Sequence, residues 1–328
     1  IDIIGMDVIW TAEFAEAGWI LPWDGQMAKK AHRDRLPAPL ESARYRNRLW
    51  AAPFTSNAQL LWYRKDRFPT PPKTWDELIR LAETLNHSGV IQVQGQRYEG
   101  LTVFFVSLLA SAGGTVLDET GTKISLAIEP TRKALEIMKR IATSPAADPN
   151  LSSTREDDAR LAFETGNPSF MVNYSFVWPS ARVNAPTVAA NMAWSRWPSM
   201  SEGIPSRVTV GGINLGVGAF TRFPELAFQA AACIASTPNQ RLAAERGGMP
   251  PSAESLYDDP ALRVRFPFAD ALRETLNNAV QRPQTPLYAD ISLAISRTLH
   301  PLDTIDPQLD TRRLRVAIDR ALRSEGLL

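Results

Sequence analysis

The sequence predicts an α/β protein with mainly parallel sheets, folded as two discontinuous lobes. Three observations lead there. Short apolar runs of strand length alternate with stretches of helical periodicity along the whole chain. At 328 residues the chain is long enough for two cores of ordinary size. No Pro-, Gly- or Ser-rich linker divides it into consecutive halves, so the chain is expected to cross between lobes several times.

The elements follow in order. Ile1 to Met6 reads as a buried strand broken by Gly5, and Asp7 stands where that strand gives way to a short helix. In open α/β sheets ligands gather at this carboxyl edge of the strands, so Asp7 reads as a ligand group. The competing reading is a helix N-cap, a role for which Thr11 is better placed. In "RLWAAPFTSNAQLLWYRKD", apolar runs flank Thr55-Ser56-Asn57, which reads as two strands meeting at a polar kink. "TPPKTWDELIRLAETLN" is the clearest helix. Thr74 and Glu77 form a capping box, Trp75, Leu78, Ile79, Ala82 and Leu85 form the apolar stripe, and the Pro pair keeps the preceding chain extended.

"EPTRKALEIMKRIATS" is a second helix, with Leu135, Ile137, Met138 and Ile141 as its buried positions. "EDDARLAFETGNPSFMVNYSFVW" reads as a helix, a stop at Gly166 and a strand from Ser169 to Val177. "SRVTVGGINLGVGAF" reads as a strand interrupted by Gly211-Gly212. Three more helices are expected to close the chain, the last over "DTRRLRVAIDRALRSEG" with Leu314, Ile318 and Leu322 on one face.

Composition excludes several classes. Lys+Arg 36 against Asp+Glu 35 leaves a net charge of +1, without the basic excess of a nucleic-acid binder. Cys233 stands alone on a helical stripe and reads as a small core residue; a single cysteine leaves the redox compartment open. "LTVFFVSLLASAGGTVL", Leu101 to Leu117, falls short of a membrane span and reads as a buried helix ending at Gly113-Gly114. His32, His87 and His300 lie far apart with no i+4 partner, so no metal is expected. The chain carries no G-x-S-x-G, and neither "GGTVLDETG" nor "GGINLGVG" fits a phosphate cradle, so no cofactor is expected either.

What remains is a set of aromatic and polar residues at element boundaries. It comprises Asp7, Asn57, Tyr174 with Phe176 and Trp178, Trp194 with Trp197, Gly211-Gly212 and Arg282. Aromatic faces suit the C–H faces of pyranose rings. Carboxylate, amide and guanidinium groups suit hydroxyl pairs, and charge strengthens those hydrogen bonds. A Gly pair lets backbone approach a ligand closely. This is the mixture a carbohydrate cleft needs, although a single Trp is more often core than site. Trp10, Trp19, Trp23, Trp62 and Trp75 are assigned to packing, while Trp194 and Trp197 stay undecided.

The chain resembles the solute-binding proteins of ABC sugar importers, in the maltose/trehalose-binding branch. The resemblance rests on "DIIGMDVIWTAEFAEAGWILPW", "APFTSNAQLLWYRKDRF", "PPKTWDELI", "RLAFETGNPSFMVNYSFVWPS", "VTVGGINLGVGAFTRFPELAFQAAACI" and "AVQRPQTPLY", spread over nearly the whole chain in the family's order. It implies a two-lobe periplasmic-binding-protein fold of type II. One lobe would hold residues 1–58 with 213–281, the other 59–212 with 282–328, and crossovers near Asn57, Gly212 and Arg282 would form a hinge. Family members begin with a strand, a helix and a second strand ahead of "DIIGMD", preceded by a secretion or lipoprotein signal. The start of the first lobe is therefore expected to lie upstream of Ile1.

The resemblance also implies an α-linked disaccharide as ligand, trehalose- or maltose-like, bound in the interlobe cleft. It further implies delivery to the transmembrane subunits of an ABC permease. The chain would be a non-catalytic monomer on the periplasmic or extracellular face of the cytoplasmic membrane, lipid-anchored through the upstream segment. Carried over by position, Asp7 resembles the first-lobe carboxylate that accepts from sugar hydroxyls, and Asn57 a polar position on the first crossover. Tyr174 stands where trehalose binders carry a stacking Trp, and Phe176 at a second aromatic position. Gly212 matches a glycine whose backbone lines the cleft, Arg282 an arginine that bridges hydroxyls, and Glu156 is an acidic candidate in the second lobe. Two alternatives stand beside this: the same fold binding a glycerophosphodiester, and a glycoside hydrolase with paired carboxylates.

Overall fold

In the computed structural model, which describes residues 1–325, most of the apolar runs become strands. These are β1 (Ile3–Asp7), β2 (Ile20–Leu21), β3 (Arg44–Tyr45), β4 (Arg48–Leu49), β5 (Ala51–Asn57), β6 (Leu60–Arg64), β7 (Ile91–Gln92), β8 (Phe170–Asn173), β9 (Met192–Ser195) and β10 (Gly211–Gly218). The chain divides into two compact units. The first is Ile1–Ala58 with Thr209–Tyr288; the second is Gln59–Val208 with the chain from Ala289 onward. Residues 209–212 and 282–288 thus group with the first unit, beyond the limits of 213 and 281 read from the sequence.

The first unit is organised around β10. It pairs antiparallel with β1 on one side, in the register Asp7↔Ile213 and Met6↔Asn214. On the other side it pairs with β5, matching Asn57 to Gly211 and Ser56 to Gly212. Its far end meets β2. Met6, Ile20, Trp23, Leu49, Ala51, Ala52, Leu215 and Val217 form the core, closed by Ala227 and Ala231 of the helix Pro224–Ile234. The small alanines let this helix lie close to the sheet. Phe228 then meets Trp23 edge-to-face at 5.1 Å, the geometry that ring quadrupoles favour.

The second unit is built on the order β7-β8-β6-β9. β6 pairs antiparallel with both β8 and β9, and β7 runs parallel to β8. All five residues of β6 are buried, which explains its unbroken apolar run. The helix Glu99–Ser111 is buried at every position from Gly100 onward, as a segment apolar on all faces must be. No helix among the described residues is long and apolar enough to cross a membrane. Thr74 Oγ1 accepts from the Glu77 amide at 3.1 Å and caps the helix Trp75–Glu83. Glu77 closes its half of the cap on the Lys73 amide, one residue before the expected partner. Trp75, Leu78, Ile79 and Ala82 are buried as the stripe required, whereas Leu85, expected to continue it, lies past the helix end and is only half-buried.

Several sequence expectations are corrected. The sheets are mainly antiparallel, because the strands of the first sheet are not joined by helix crossovers: β10 returns to β1 and β5 after the chain has passed through Gln59–Val208 of the second unit. The expected strand to Val177 stops at Asn173, where Asn173 Oδ1 accepts from the Tyr174 amide and turns the chain into the helix Val177–Asn184. The Gly pair opens β10 instead of interrupting it. Six α-helices, not three, follow β10 among the described residues, because Pro224, Pro238, Pro260 and Pro307 each begin or nearly begin a separate helix. Cys233 lies on the exposed face of its helix.

The tryptophans also divide. Trp23, Trp62 and Trp75 are almost wholly buried, and Trp197 joins them against Trp75 and Phe104. Trp10 and Trp19 are surface residues, 42% and 46% exposed, and contact each other only through Phe14. Trp10 ends the 3-10 helix Val8–Trp10 and Trp19 follows the six-residue helix Thr11–Glu16, elements too short to present a buried stripe.

Candidate functional site

In the first unit the end of β1, the end of β5 and the start of β10 meet at one sheet edge. The register places Asp7 opposite Ile213, and Asn57 opposite Gly211. The sheet edge thus gathers three of the expected residues, Asp7, Asn57 and Gly212. Arg282 joins them from the C-terminal side of the unit: its Nη2 donates to Asp7 Oδ1 at 3.2 Å and to the Val210 carbonyl at 3.4 Å. The Arg282 guanidinium also lies 5.9 Å from the Tyr288 ring centroid.

The pair is asymmetric in its exposure. The Arg282 side chain is 7% exposed and that of Asp7 is 43% exposed. A buried guanidinium therefore holds a carboxylate that still faces solvent, the arrangement required to accept from an incoming hydroxyl. Asp7 is also the N-cap of the 3-10 helix Val8–Trp10, its Oδ1 accepting from the Ile9 amide at 3.1 Å. The two readings of Asp7 are thus compatible, and Thr11, the favoured cap by sequence, is buried under Asn214 instead. Within the first unit Arg282 pairs with Asp7.

Gly212 is fixed by geometry. Its φ is +139°, and a Cβ there would come within 2.3 Å of the Thr55 carbonyl oxygen. Only glycine lets β10 start this close to β5. Ile213, next in line, donates its amide to Thr55 Oγ1 at 3.0 Å. Asn57 Oδ1 accepts from the amide of Ala58 at 3.0 Å, so this side chain supports the strand end.

In the second unit Glu156 is the first residue of the helix Glu156–Glu164. Its Oε2 accepts from the Tyr98 hydroxyl at 2.5 Å, and its backbone carbonyl accepts from Asn173 Nδ2 at 2.7 Å. Asn173 also turns the chain at Tyr174, so one side chain ties Glu156 to the segment bearing Tyr174 and Phe176. The Tyr98 hydroxyl is pushed far above the usual phenol range, first by burial and then by the Glu156 carboxylate, with Tyr174 adding to the effect. Arg155 lies over the Tyr98 ring, 4.9 Å from its centroid. Phe176 is 38% exposed at the start of the helix Val177–Asn184. Behind it, Trp178 meets Trp194 edge-to-face at 5.2 Å, and Trp194 meets Trp62 at 6.3 Å.

Tyr98 is the residue that sequence reasoning passed over. Its signal was present in "QRYEG": Gly100 stands where any Cβ would lie 2.2 Å from the Tyr98 hydroxyl, so the Tyr and the Gly form one device.

The comparisons with known proteins agree with this architecture. The profile of bacterial extracellular solute-binding proteins matches residues 1–241. The chain is 28% identical over 324 residues to a protein of Deinococcus radiodurans named "Probable ABC transporter-binding protein", covering 93% of this chain and 75% of the relative. It is 24% identical over 296 residues to the mannitol-binding protein of Pseudomonas aeruginosa, covering 84% of this chain and 66% of that relative. The chain thus spans about two thirds to three quarters of the lengths of these relatives. Among solved structures, the maltose-bound MalE3 of T. maritima superposes with a TM-score of 0.85 at 28% identity, over 97% of this chain and 84% of that one.

Proposed function

Because the chain belongs to the family of bacterial extracellular solute-binding proteins, we propose that it is the substrate-binding component of an ABC sugar importer and binds an α-linked disaccharide of the maltose or trehalose type. The observation that carries this reading is the half-exposed Asp7 carboxylate held by the buried Arg282 guanidinium at the edge of the first sheet. Each group is charged, fixed by further backbone bonds and matched to hydroxyl partners. Glu156 with Tyr98 supplies a second polar group of the same kind in the second unit, and Tyr174 and Phe176 supply aromatic faces for sugar rings. The similarity to a maltose-bound protein and to a mannitol-binding one supports a polyhydroxylated solute over a charged one.

The role proposed is binding without turnover, by a monomer that hands its ligand to a membrane permease from the outer face of the cytoplasmic membrane, where a lipid anchor would hold it. Asp7, Asn57, Glu156, Tyr174, Phe176, Gly212 and Arg282 are the proposed ligand residues. Equilibrium dialysis against radiolabelled maltose, trehalose and glycerophosphocholine, followed by chromatography of the recovered ligand, tests the proposal. One equivalent of intact disaccharide retained per chain is the expected result. Release of glucose would replace the binding role with a hydrolase. Retention of glycerophosphocholine alone would keep the family and change the ligand class.

A further inference from the structure

Beside the sheet of the second unit lies a polar pair that neither the fold nor the proposed ligand contacts account for. Gln59 opens the unit directly after the crossover at Ala58, and Gln94 follows β7; they are 1% and 0% exposed. Gln59 Nε2 donates to Gln94 Oε1 at 2.8 Å, and Gln94 Nε2 donates to the Val172 carbonyl on β8 at 2.9 Å. Their chain neighbours Leu60, Leu61 and Val93 are buried, as is Val172, whose carbonyl Gln94 meets. Gln59 Oε1 is itself buried with no hydrogen-bond partner among the described residues. Two leucines would fill such a place without the desolvation that two amides incur, so the pair is retained against a cost in stability.

Its position indicates what it does. Gln94 is followed by Gly95, whose Cα lies so close to Leu151 that a Cβ would meet the Leu151 carbonyl at 2.3 Å. The Gly95 and Gln96 amides both donate to the Thr154 carbonyl, at 3.1 and 3.2 Å, and the Tyr98 amide donates to the Gln96 carbonyl at 3.0 Å. Gln96 also receives the Arg155 guanidinium. The segment Gly95–Tyr98 is therefore held on one side by the chain that leads into Glu156 and on the other by Gln94. The Gln94 side chain ties the chain entering this segment to β8 through the Val172 carbonyl, and Gln59 fixes which way the Gln94 amide faces.

We infer that Gln59 and Gln94 are a positioning pair: together they set the height of the Gly95–Tyr98 segment so that the Tyr98 hydroxyl meets Glu156. Neither residue is among the proposed ligand residues. The inference rests on the proposed sugar-binding role only in assigning that segment a ligand-facing function.

Gln59→Leu, Gln94→Leu and the double variant test it, with Gln59→Met/Gln94→Met as a second double variant of closer side-chain shape. Thermal midpoint, hydrogen exchange at the Gly95 and Gln96 amides, and maltose affinity are read on each. Either single variant leaves an amide without its partner and lowers the midpoint. At least one of the two doubles removes both polar groups and regains most of it. That double nonetheless exchanges faster at Gly95 and Gln96 and binds maltose about tenfold more weakly, the effect of one lost positioning bond. Wild-type exchange or wild-type affinity in a double of restored midpoint would show the pair to be core filling and overturn the inference. Should the wild-type protein bind no sugar, the proposed function fails, and exchange at Gly95 and Gln96 alone decides the positioning claim.

Discussion

Arg282 Nη2 lies 3.2 Å from Asp7 Oδ1, joining residues 275 positions apart in the sequence. The guanidinium is buried and the carboxylate half exposed. Removal of one partner from a fully buried pair costs several kcal/mol, but solvent reaches Asp7 and softens that loss. Arg282→Ala is therefore expected to leave the protein folded and to weaken disaccharide binding by about 1.5–3 kcal/mol, the range for hydrogen bonds to charged groups. Arg282→Lys should recover part of this, since a point charge replaces a two-pronged donor. Calorimetric affinities beside circular dichroism check both statements, and wild-type affinity for the Ala variant would move the ligand away from this sheet edge.

Gly212→Ala tests the strand junction. A Cβ 2.3 Å from the Thr55 carbonyl, on a backbone with φ of +139°, must displace β5 or β10. The expected loss is about 1–3 kcal/mol or more, read from urea unfolding. Gly113→Ala is the control: its φ is also positive, at +84°, but no atom lies within 4 Å of its would-be Cβ, so the smaller cost there isolates the backbone term. Equal losses at the two positions would remove the steric argument for Gly212.

Alkaline pH should destabilise the protein through its buried tyrosines. Burial raises Tyr257, whose hydroxyl donates to the Pro251 carbonyl, and burial with the Glu156 charge raises Tyr98. Above about pH 10 the unfolded phenols lose their protons while the folded ones keep theirs, so the unfolded state binds fewer protons and stability falls as pH rises. Each such group contributes a slope of up to about 1.4 kcal/mol per pH unit. Tyr257→Phe should flatten the decline between pH 10 and 11 in chemical denaturation. An unchanged slope would mean that Tyr257 titrates normally in the folded state.

Cys233 is exposed on the helix Pro224–Ile234 and should react fully with a thiol reagent under native conditions. A requirement for denaturant would return it to the core, where its spacing had placed it.

These outcomes show how unevenly the sequence exposed its structure. The stripe Trp75, Leu78, Ile79 and Ala82 was legible because helical periodicity and a cap coincide within nine residues. The boundary at Asn57 was legible because polar residues interrupt two apolar runs. Sheet direction was not, since β10 pairs with β1 across more than two hundred residues and no local pattern records which way a returning strand runs. Cys233 misled because alanines on all sides give a helix no clear apolar face. Tyr98 escaped notice because its partner Glu156 is 58 residues away and only folding joins them. Asp7 and Arg282 were each marked as site residues, but their pairing is a fact of three dimensions.

The most direct measurement is a calorimetric titration of maltose and trehalose into the wild-type protein and into Asp7→Ala, Arg282→Ala and the double variant. The account predicts saturable one-to-one binding of at least one disaccharide to the wild type. It also predicts weaker binding in each single variant, and a loss in the double smaller than the two single losses added, because the residues act as one unit. Binding of wild-type strength in all three variants would contradict the assignment of this pair to the ligand.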